Sequence, residues 1–390
     1  MIKVLHVISD TNIGGAGKVI LNFLSEYDRE QFDVKVLMPK GSKLKDEVSQ
    51  LKTEVIEIEG IADQSLDIKA IGKIKKIIKE ENPDIVHSHA SVSAKMAARC
   101  EKKKSIYTRH SVFSQSKKLT RFPGKQINGF LNGFLSDKII AVAEAAKENL
   151  TDTGISEKKI EVILNGVKPI KVINEDERKN IRKKYGFSED DFIISIIARL
   201  DKVKGHQYLI EAAKILKDEK DKDERNKKEG EQKELSREGL SNIKFLIAGT
   251  GSEEKGLRDS VKDLDLTDTV IFTGFVKEIN EITNITDMII NCSFGTEATS
   301  LALLEAMSLG IPAVVTDFGG NADVVEDGQN GFVVPVKAPQ SMIEAILKMV
   351  QNDKLYGEMS ANAKRIYNEK FTAKVMTEKT QNLYKQLIKK

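Results

Sequence analysis

Two glutamates stand eight positions apart in the segment 294–312, which reads FGTEATSLALLEAMSLGIP. Glu297 comes before a predicted helix, and Glu305 lies on that helix, whose other faces are leucine and alanine. A carboxylate on the buried side of a helix needs a polar partner, and sugar hydroxyls supply one. The start of the helix also favours an anion. The alternative interpretation is that neither glutamate binds a ligand, and that one caps the helix while the other is exposed to solvent.

Two cations, Arg199 and Lys204, follow a predicted strand over residues 192–198. They should therefore lie at the carboxyl end of a parallel sheet, where open α/β sheets bind their ligands. An arginine fork and a lysine point charge together can hold a diphosphate. The alternative is that both cations are simply exposed in a loop, and this segment taken alone favours that interpretation.

Two glycine loops follow predicted strands. The first, GGAGKV at residues 14–19, lacks the residues that a P-loop or a dinucleotide fingerprint requires. Its small residues would still let backbone N–H groups approach an anion, and an ordinary tight turn is equally compatible with them. The second, GTGSEE at residues 249–254, favours a strand-to-helix turn.

Candidate metal ligands do not converge in the sequence. Of the two D-x-D patterns, residues 221–223 lie in a charged insertion and residues 263–265 in a helical stretch, so neither ends a strand. His6, His87 and His89 lie in or beside strands, which favours a structural role. We expect no essential metal and no bound cofactor.

A basic stretch covers residues 95–125, with ten lysines and arginines against one acidic residue, Glu101. Aromatic and leucine side chains are interleaved with it or follow closely. This composition suits an anionic membrane surface or a phosphate-bearing lipid acceptor, and it equally suits a solvated face. The predicted membrane or acceptor face consists of Lys102, Lys103, Lys104, Lys117, Lys118, Arg121 and Lys125.

Short β-rich runs alternate with helical patterns in two halves of the chain, which predicts two α/β domains with parallel sheets. Isoleucines recur at helical spacing over residues 68–78. A polar stretch over residues 166–191 reads as an irregular linker, and residues 372–390 read as a terminal helix. Strands are expected at residues 3–8, 33–37, 83–87, 105–108, 192–198, 243–248, 270–273, 287–291, 313–316 and 332–334.

Composition excludes several classes of protein. The 390 residues include 62 basic and 59 acidic side chains, a net charge of +3, and 40% are hydrophobic. The chain is therefore neither disordered as a whole nor a general nucleic-acid binder. Two isolated cysteines suit a reducing cytosol, and we expect neither a signal peptide nor a membrane span. Residues 217–238 are mostly charged and are expected to extend a helix as a surface insertion.

The segment from Glu297 to Glu305, with GIP at residues 310–312, resembles the E-x7-E signature of the family-four retaining glycosyltransferases. Other segments resemble motifs of that family in the family's order: the glycines at 14–15, NGV at 165–167, residues 199–205, FTGFV at 272–276, the glycines at 319–320 and residues 325–332. Leu164 replaces a usual proline. Residues 298–300 replace a common Gly-Phe-Gly in the loop that lines the sugar pocket.

The resemblance implies an α/β fold of the GT-B type, with two Rossmann-like domains facing across a cleft that holds a nucleotide-sugar. It further implies that the C-terminal helix crosses back to the N-terminal domain. We expect an acceptor-side domain over residues 1–166, a donor domain over 167–371 with the insertion 217–238, and the crossing helix over 372–390.

The resemblance also implies roles for single residues. Glu297 and His110 would contact the transferred sugar as catalytic residues. Arg199 and Lys204 would neutralise the diphosphate, which the Gly15 backbone would approach, and Glu305 would accept from the ribose hydroxyls. The expected donor-binding set is Gly15, Arg199, Lys204, Phe275, Val276, Thr299, Ser300, Leu301 and Glu305.

The implied activity is retaining transfer of a hexose or N-acetylhexosamine from a nucleotide-sugar, with UDP as the expected nucleotide. The expected acceptor is a glycan or a polyprenyl-linked lipid in cell-surface polysaccharide synthesis. The expected location is the cytoplasm, with attachment to the inner face of the cell membrane left open, and no nucleic-acid partner is expected. The alternative function on the same fold is a sugar-nucleotide epimerase or hydrolase.

Overall fold

The computed structural model describes residues 1–63, 65–112, 115–228 and 242–389, with the backbone alone over 223–228. The chain forms two units. Unit 1 comprises Met1–Lys168 together with Glu369–Lys390, and unit 2 comprises Pro169–Asn368. These bounds fall within a few residues of the expected domain limits at 166 and 371. Each unit is a parallel sheet with helices, which confirms the predicted Rossmann-like class.

Unit 1 contains a seven-stranded parallel sheet in the order β3-β2-β1-β4-β5-β6-β7. Its elements up to β7 are β1 (Ile2–Ile8), α1 (Gly15–Leu24), β2 (Phe32–Pro39), α2 (Leu44–Gln50), β3 (Glu54–Ile58), α3 (Ile68–Glu81), β4 (Ile85–His89), α4 (Val92–Cys100), β5 (Lys104–Arg109), α5 (Lys117–Thr120), α6 (Gly124–Leu135), β6 (Lys138–Ala141), α7 (Glu144–Asp152) and β7 (Ile160–Val162).

Helix α3 shows how the sequence pattern becomes packing. Asp67 caps the helix, because its side chain accepts hydrogen bonds from the backbone N–H groups of the first turn. Ile74 and Ile78 are fully buried in the core of unit 1. Ile68 belongs to the predicted stripe, yet it is 82% exposed, because it occupies the first helical position, beyond the end of that core.

Unit 2 contains a six-stranded parallel sheet in the order β10-β9-β8-β11-β12-β13. The first part of the charged insertion extends α9, as expected, and residues 229–238 lie outside the described residues. The elements are α8 (Glu175–Lys184), β8 (Phe192–Ile197), α9 (His206–Lys228), β9 (Ile243–Ala248), α10 (Glu254–Asp263), β10 (Val270–Gly274), α11 (Ile279–Ile285), β11 (Met288–Asn291), α12 (Leu301–Ser308), β12 (Ala313–Thr316), α13 (Asn321–Val324), β13 (Gly331–Val334), α14 (Pro339–Val350) and α15 (Asp353–Ile366).

Helix α8 corrects the expectation of an irregular linker over residues 166–191. Asn174 and Glu177 form a capping box at its start. Arg182 is buried and its Nη2 lies 2.8 Å from Asp287 Oδ2, while Arg178 Nη2 lies 2.9 Å from Asp287 Oδ1. Ion pairs to one aspartate therefore anchor the helix to unit 2 together with Ile181, which packs against a hydrophobic cluster, and a single isoleucine does not make an apolar stripe in the sequence.

The last helix, α16 (Ala373–Ile388), belongs to unit 1, although all of unit 2 precedes it in the chain. Val167 and Thr372 form a parallel backbone bridge at the point of return. Leu383, Tyr384 and Leu387 are buried on the side of α16 that packs against unit 1. This packing is the return to the N-terminal domain that the resemblance implied.

Candidate active site

Strand β8 leads into the segment that carries the two predicted phosphate-binding cations. Arg199 is 79% exposed at its side chain, and its Nη2 lies 3.3 Å from Asp201 Oδ2. A 3₁₀ turn, Lys202–Lys204, follows and ends at Gly205, which has a φ of +73°. A Cβ atom on Gly205 would overlap the carbonyl oxygen of Cys292, just beyond β11. Glycine therefore allows this turn to approach the neighbouring strand.

Lys204 and Glu297 form an ion pair at the carboxyl end of the unit 2 sheet. Lys204 Nζ lies 2.7 Å from Glu297 Oε2, and the two side chains are 15% and 10% exposed. The same oxygen accepts hydrogen bonds from Ser293 Oγ at 3.2 Å and from Asn291 Nδ2 at 3.4 Å. Lys204 Nζ also donates to the carbonyl oxygen of Thr296. These contacts hold Glu297 through one oxygen, Oε2, and do not involve Oε1.

The backbone of Glu297 packs against the loop after β12. Gly319 has a φ of +61°, and a Cβ atom there would overlap the Glu297 carbonyl oxygen. Thr316 Oγ1 donates to the carbonyl oxygen of Ser293, and Asn321 Nδ2 donates to the carbonyl oxygen of Thr316 at 2.9 Å. Glycine at 319, the first of the pair at 319–320, is therefore a packing requirement of the Glu297 loop.

Helix α12 positions the second glutamate of the signature. Ser300 caps the helix, because its Oγ accepts from the backbone N–H of Leu303. Thr299 directly precedes the cap. Leu301 and Glu305 stand four positions apart, so they share one face, and both are partly exposed. The helix therefore presents its N-terminus and Glu305 from the carboxyl end of the sheet.

The predicted base-contacting pair follows edge strand β10. Phe275 is 75% exposed, whereas Val276 is partly buried against a hydrophobic cluster that includes Ile193. Strand β9 separates β10 from β8 in the sheet. An ion pair joins Lys204 to Glu297, and the other predicted residues of unit 2 follow strands at the same edge of the sheet.

The first glycine loop leads from β1 into α1 in unit 1. Gly15 is the first helical residue, is exposed, and has open space where a Cβ would lie. Gly14 precedes it and has no side chain with which to cap the helix. The start of α1 therefore has no side-chain cap, and uncapped helix N-termini favour an anion.

His110 follows β5 in unit 1 and belongs to a cluster of histidines. Its Nε2 lies 2.9 Å from His89 Nδ1, and His89 Nε2 lies 2.9 Å from His6 Nδ1. Burial lowers the pKa of His110 to about 4 and that of His6 to about 3, and it holds the pKa of His89 well below the ordinary value. His110 is therefore a neutral side chain at physiological pH.

Three of these histidines could also hold a metal ion. Within the described residues, His6, His87 and His89 bring one nitrogen each to within 4.8 Å of one another. Every ring nitrogen of the three is already hydrogen-bonded, to another histidine, to Tyr384 or to Thr108. A metal would have to displace several of these bonds. The expectation of a metal-free enzyme remains a prediction.

The predicted membrane or acceptor face is divided between the two ends of β5. Lys102 and Lys103 precede the strand and Lys104 begins it, while Lys117, Lys118, Arg121 and Lys125 come after its carboxyl end. A six-residue strand is about 20 Å long. Of the first group, Lys103 donates to Asn82 Oδ1. The second group lies in and around α5 and the start of α6.

The sequence patterns do not predict Asn291, Ser293 or Tyr384 as site residues, and they do not predict that the histidines contact one another. Asn291 ends β11 and Ser293 follows it by two residues, so both could have been expected near the carboxyl end of the sheet. The H-x-H spacing of His87 and His89 places both on one face of β4. The hydrogen bond between Tyr384 and His87 has no local signal in the sequence, because it joins positions 297 residues apart.

Comparisons with known proteins agree with this architecture. Residues 177–366 match the family Glycosyl transferases group 1, and residues 13–170 match Glycosyltransferase Family 4. The chain is 25% identical to an Escherichia coli UDP-Gal:alpha-D-GlcNAc-diphosphoundecaprenol alpha-1,3-galactosyltransferase, covering 99% of this chain and 97% of that protein. It is 22% identical to the capsular polysaccharide biosynthesis glycosyltransferase CapM of Staphylococcus aureus, covering 99% and 98%.

A solved structure shows the same fold. Anabaena HepE, crystallised with UDP and glucose, superposes with a TM-score of 0.81 at 18% identity, covering 99% of this chain and all of that one. Among the described residues, none of the helices combines the length and the apolar character that a membrane span requires. The two family matches together cover most of both units, and the chain belongs to glycosyltransferase family 4.

Proposed function

We propose that this protein is a retaining glycosyltransferase that moves a hexose or an N-acetylhexosamine from a UDP-sugar to a glycan or polyprenyl-linked acceptor. The observation that carries the proposal is the ion pair of Lys204 with Glu297. The pair places a cation and an oriented carboxylate at the edge of the sheet where α/β folds bind ligands. The names of the E. coli and S. aureus relatives support cell-surface polysaccharide as the product.

Lys204 and Arg199 would stabilise the charge that develops on the departing diphosphate. Glu305 would accept from the ribose hydroxyls, and Glu297 Oε1 would accept from a hydroxyl of the transferred sugar. A double displacement requires a free carboxylate at the anomeric carbon. Glu297 is committed to Lys204, so we favour front-face transfer, in which the leaving phosphate takes the acceptor proton. We also propose that His110 contacts the reacting sugar.

The nucleotide can be identified by thermal denaturation with UDP, GDP and ADP. A ligand that binds the native state raises the melting temperature as its concentration exceeds Kd. We expect UDP to raise it most, and the UDP-sugars that bind to raise it further. A larger shift with GDP or ADP would contradict the UDP assignment, and no shift with any nucleotide would contradict nucleotide-sugar binding itself.

Transfer can be distinguished from hydrolysis and epimerisation by measuring UDP release with and without an undecaprenyl-diphosphate-linked sugar. We expect release to depend on the acceptor, the new glycosidic bond to retain the donor's anomeric configuration, and EDTA to leave the rate unchanged. Equal release without acceptor, or an epimerised free sugar, would identify the alternative function. Loss of activity in EDTA that Mg²⁺ or Zn²⁺ restores would contradict metal-free transfer.

We further propose that helix α6 attaches the protein to an anionic membrane. Its polar face packs inward: Asn128 Nδ2 donates to the carbonyl oxygen of Thr153 at 2.7 Å, and Asn132 Oδ1 accepts from buried Lys95 at 2.9 Å. A Cβ atom on Gly129 would overlap the carbonyl oxygen of Gly154, so the helix is seated closely. The polar side of α6 is therefore the side that faces the protein.

The apolar side of α6 faces solvent instead. Its exposed side chains, together with Phe122 just before the helix, form a patch of a kind that marks interaction surfaces. Basic residues at 117, 118, 121 and 125 adjoin the patch, which suits insertion among anionic lipid headgroups. Unpaired Cys100 and Cys292 suit the reducing cytoplasmic side of the membrane. The exposed apolar residues are Phe122, Ile127, Phe130, Leu131 and Phe134.

Sedimentation with phosphatidylglycerol/phosphatidylcholine vesicles tests the attachment. We expect binding that falls as salt rises, because surface charges are screened. The double variant Phe122→Ser/Phe130→Ser should lose most of this binding, whereas Ile68→Ser, a comparably exposed isoleucine on α3, should retain it. Equal binding to neutral vesicles, or equal binding by the double variant and Ile68→Ser, would rule out attachment through α6.

A further inference from the structure

Polar side chains in the interior of unit 1 form a continuous series of hydrogen bonds from helix α16 to His110. Parallel pairing of β1 with β4 sets His6 beside His87, and His89 follows on the same face of β4. His6 Nε2 lies 3.2 Å from the Tyr384 hydroxyl, and its Nδ1 continues through His89 to His110. We refer to Tyr384, His6, His89 and His110 as the histidine chain.

A side branch completes the network at Tyr384. The Tyr384 hydroxyl lies 2.6 Å from His87 Nδ1, and His87 Nε2 lies 2.6 Å from Thr108 Oγ1. His87 and Tyr384 are both buried. The branch therefore gives the tyrosine hydroxyl two nitrogen neighbours, one on His87 and one on His6.

Neutral imidazoles make the directions of these bonds depend on one another. Burial lowers the pKa of every histidine in the network. A neutral imidazole has one N–H donor and one acceptor nitrogen. A histidine that accepts at one nitrogen must therefore donate at the other, so fixing one bond of the histidine chain fixes all the others.

The distances at Tyr384 fix the direction. The hydroxyl carries one proton, which it can donate to His87 or to His6. The two 2.6 Å contacts of neutral His87, to Tyr384 and to Thr108, comprise one O–H donor and one N–H donor in either case, so they do not distinguish the two directions. The 3.2 Å contact does, because it lies within the usual range of N–H donors and beyond that of O–H donors, which suits donation from His6 Nε2 to the tyrosine oxygen and leaves the hydroxyl proton for His87. It follows that His6 Nδ1 accepts from His89 Nε2, and that His89 Nδ1 accepts from His110 Nε2.

We infer that His6, His89 and Tyr384 are positioning residues that fix the tautomer of His110, with its proton on Nε2 and its Nδ1 an acceptor for a sugar hydroxyl. The bond to His89 uses Nε2, so Nδ1 is the nitrogen that remains for a ligand. The role at the sugar rests on the proposed function, whereas the tautomer follows from the network alone. Helix α16 thus supplies a group that controls a catalytic side chain.

Nitrogen NMR of the full-length protein labelled with ¹⁵N-histidine tests the inference. The wild-type spectrum should show His110, His89 and His6 each protonated at Nε2. The Tyr384→Phe variant leaves the His6 Nε2 proton without an acceptor, so the histidine chain should reverse and His110 should become protonated at Nδ1. A wild-type His110 protonated at Nδ1, or an unchanged tautomer in Tyr384→Phe, would overturn the inference.

Tyr27→Phe is the matched control, because Tyr27 is also buried in unit 1 and its hydroxyl contacts Arg29 instead of a histidine. It should leave the His110 tautomer and the transfer rate unchanged. Tyr384→Phe should slow transfer about tenfold, the value of one hydrogen bond, without changing the melting-temperature shift by UDP. A reversed tautomer with an unchanged rate would instead contradict the contact of His110 with the sugar and leave the network intact.

Discussion

The Lys204→Met variant should transfer sugar about 100- to 1,000-fold more slowly than the wild type, the usual cost of removing one preorganised group that stabilises developing charge. Lys204 is also the cationic partner of Glu297, at 2.7 Å, so the substitution leaves a largely buried carboxylate with only Ser293 and Asn291. We therefore expect a second effect, a loss of about 1–3 kcal/mol of stability. Steady-state rates and urea unfolding measure the two separately.

Lys202→Met provides the control, because Lys202 lies in the same 3₁₀ turn and is exposed. It should behave as the wild type in both measurements. The double variant Lys204→Met/Glu297→Gln should regain stability, since the buried charge is gone, and should remain inactive. If Lys204→Met transferred sugar as fast as Lys202→Met, Lys204 would not belong to the active site.

Unit 1 should lose several kcal/mol of stability between pH 7 and pH 5. Its histidines, His6, His87, His89 and His110, all have pKa values lowered by burial. Stability is intact above the unfolded pKa near 6.5 and falls as the pH drops toward the folded pKa, because the unfolded chain takes up protons first. Each histidine costs about 1.4 kcal/mol per pH unit in that window, and domains are stable by only about 5–15 kcal/mol.

Unit 2 should be less sensitive to acid, because its one histidine among the five in the chain is His206, whose pKa burial lowers to about 4. The sequence contains no tryptophan, so peptide-resolved hydrogen exchange in urea is the suitable measurement. Peptides from β1 and β4 should lose protection at lower urea as pH falls, and peptides from β8 and β9 should change less. If the protection of the β1 and β4 peptides in urea did not change from pH 7 to pH 5, the histidines of unit 1 would not be buried in their neutral form.

The strands of the fold could be predicted from sequence because most are short apolar runs between breaks. The predicted bounds of β9 and β12, for instance, equal the observed ones. Helix α8 could not be predicted in this way, since its buried side chain is Arg182 and its attachment combines two ion pairs to Asp287 with the packing of Ile181. Hydrophobic periodicity detects helices that bury a full apolar face, which α8 lacks.

The candidate site was predictable where one motif carries the chemistry. The signature from Glu297 to Glu305 and the segment from Arg199 to Lys204 are each one short continuous stretch of sequence, so the order and spacing of their residues identify them as motifs. The hydrogen bonds of Glu297 to Asn291 and Ser293, and of His6 to Tyr384, depend on side-chain directions after folding. Such contacts arise from the register of the strands and from the docking of α16. Sequence patterns locate these elements along the chain but do not specify which side chains meet.

The division of unit 1 into two stretches of sequence has a consequence for synthesis on the ribosome. Residues Met1–Lys168 emerge first, and the 200 residues of unit 2 follow before α16 can dock. At about 5–20 residues per second, this interval lasts on the order of 10–40 s. During it, His6, His87 and Phe32 lack the tyrosine ring that later packs against them. The part of unit 1 that is synthesised first therefore keeps some of its core uncovered until unit 2 and α16 have been translated.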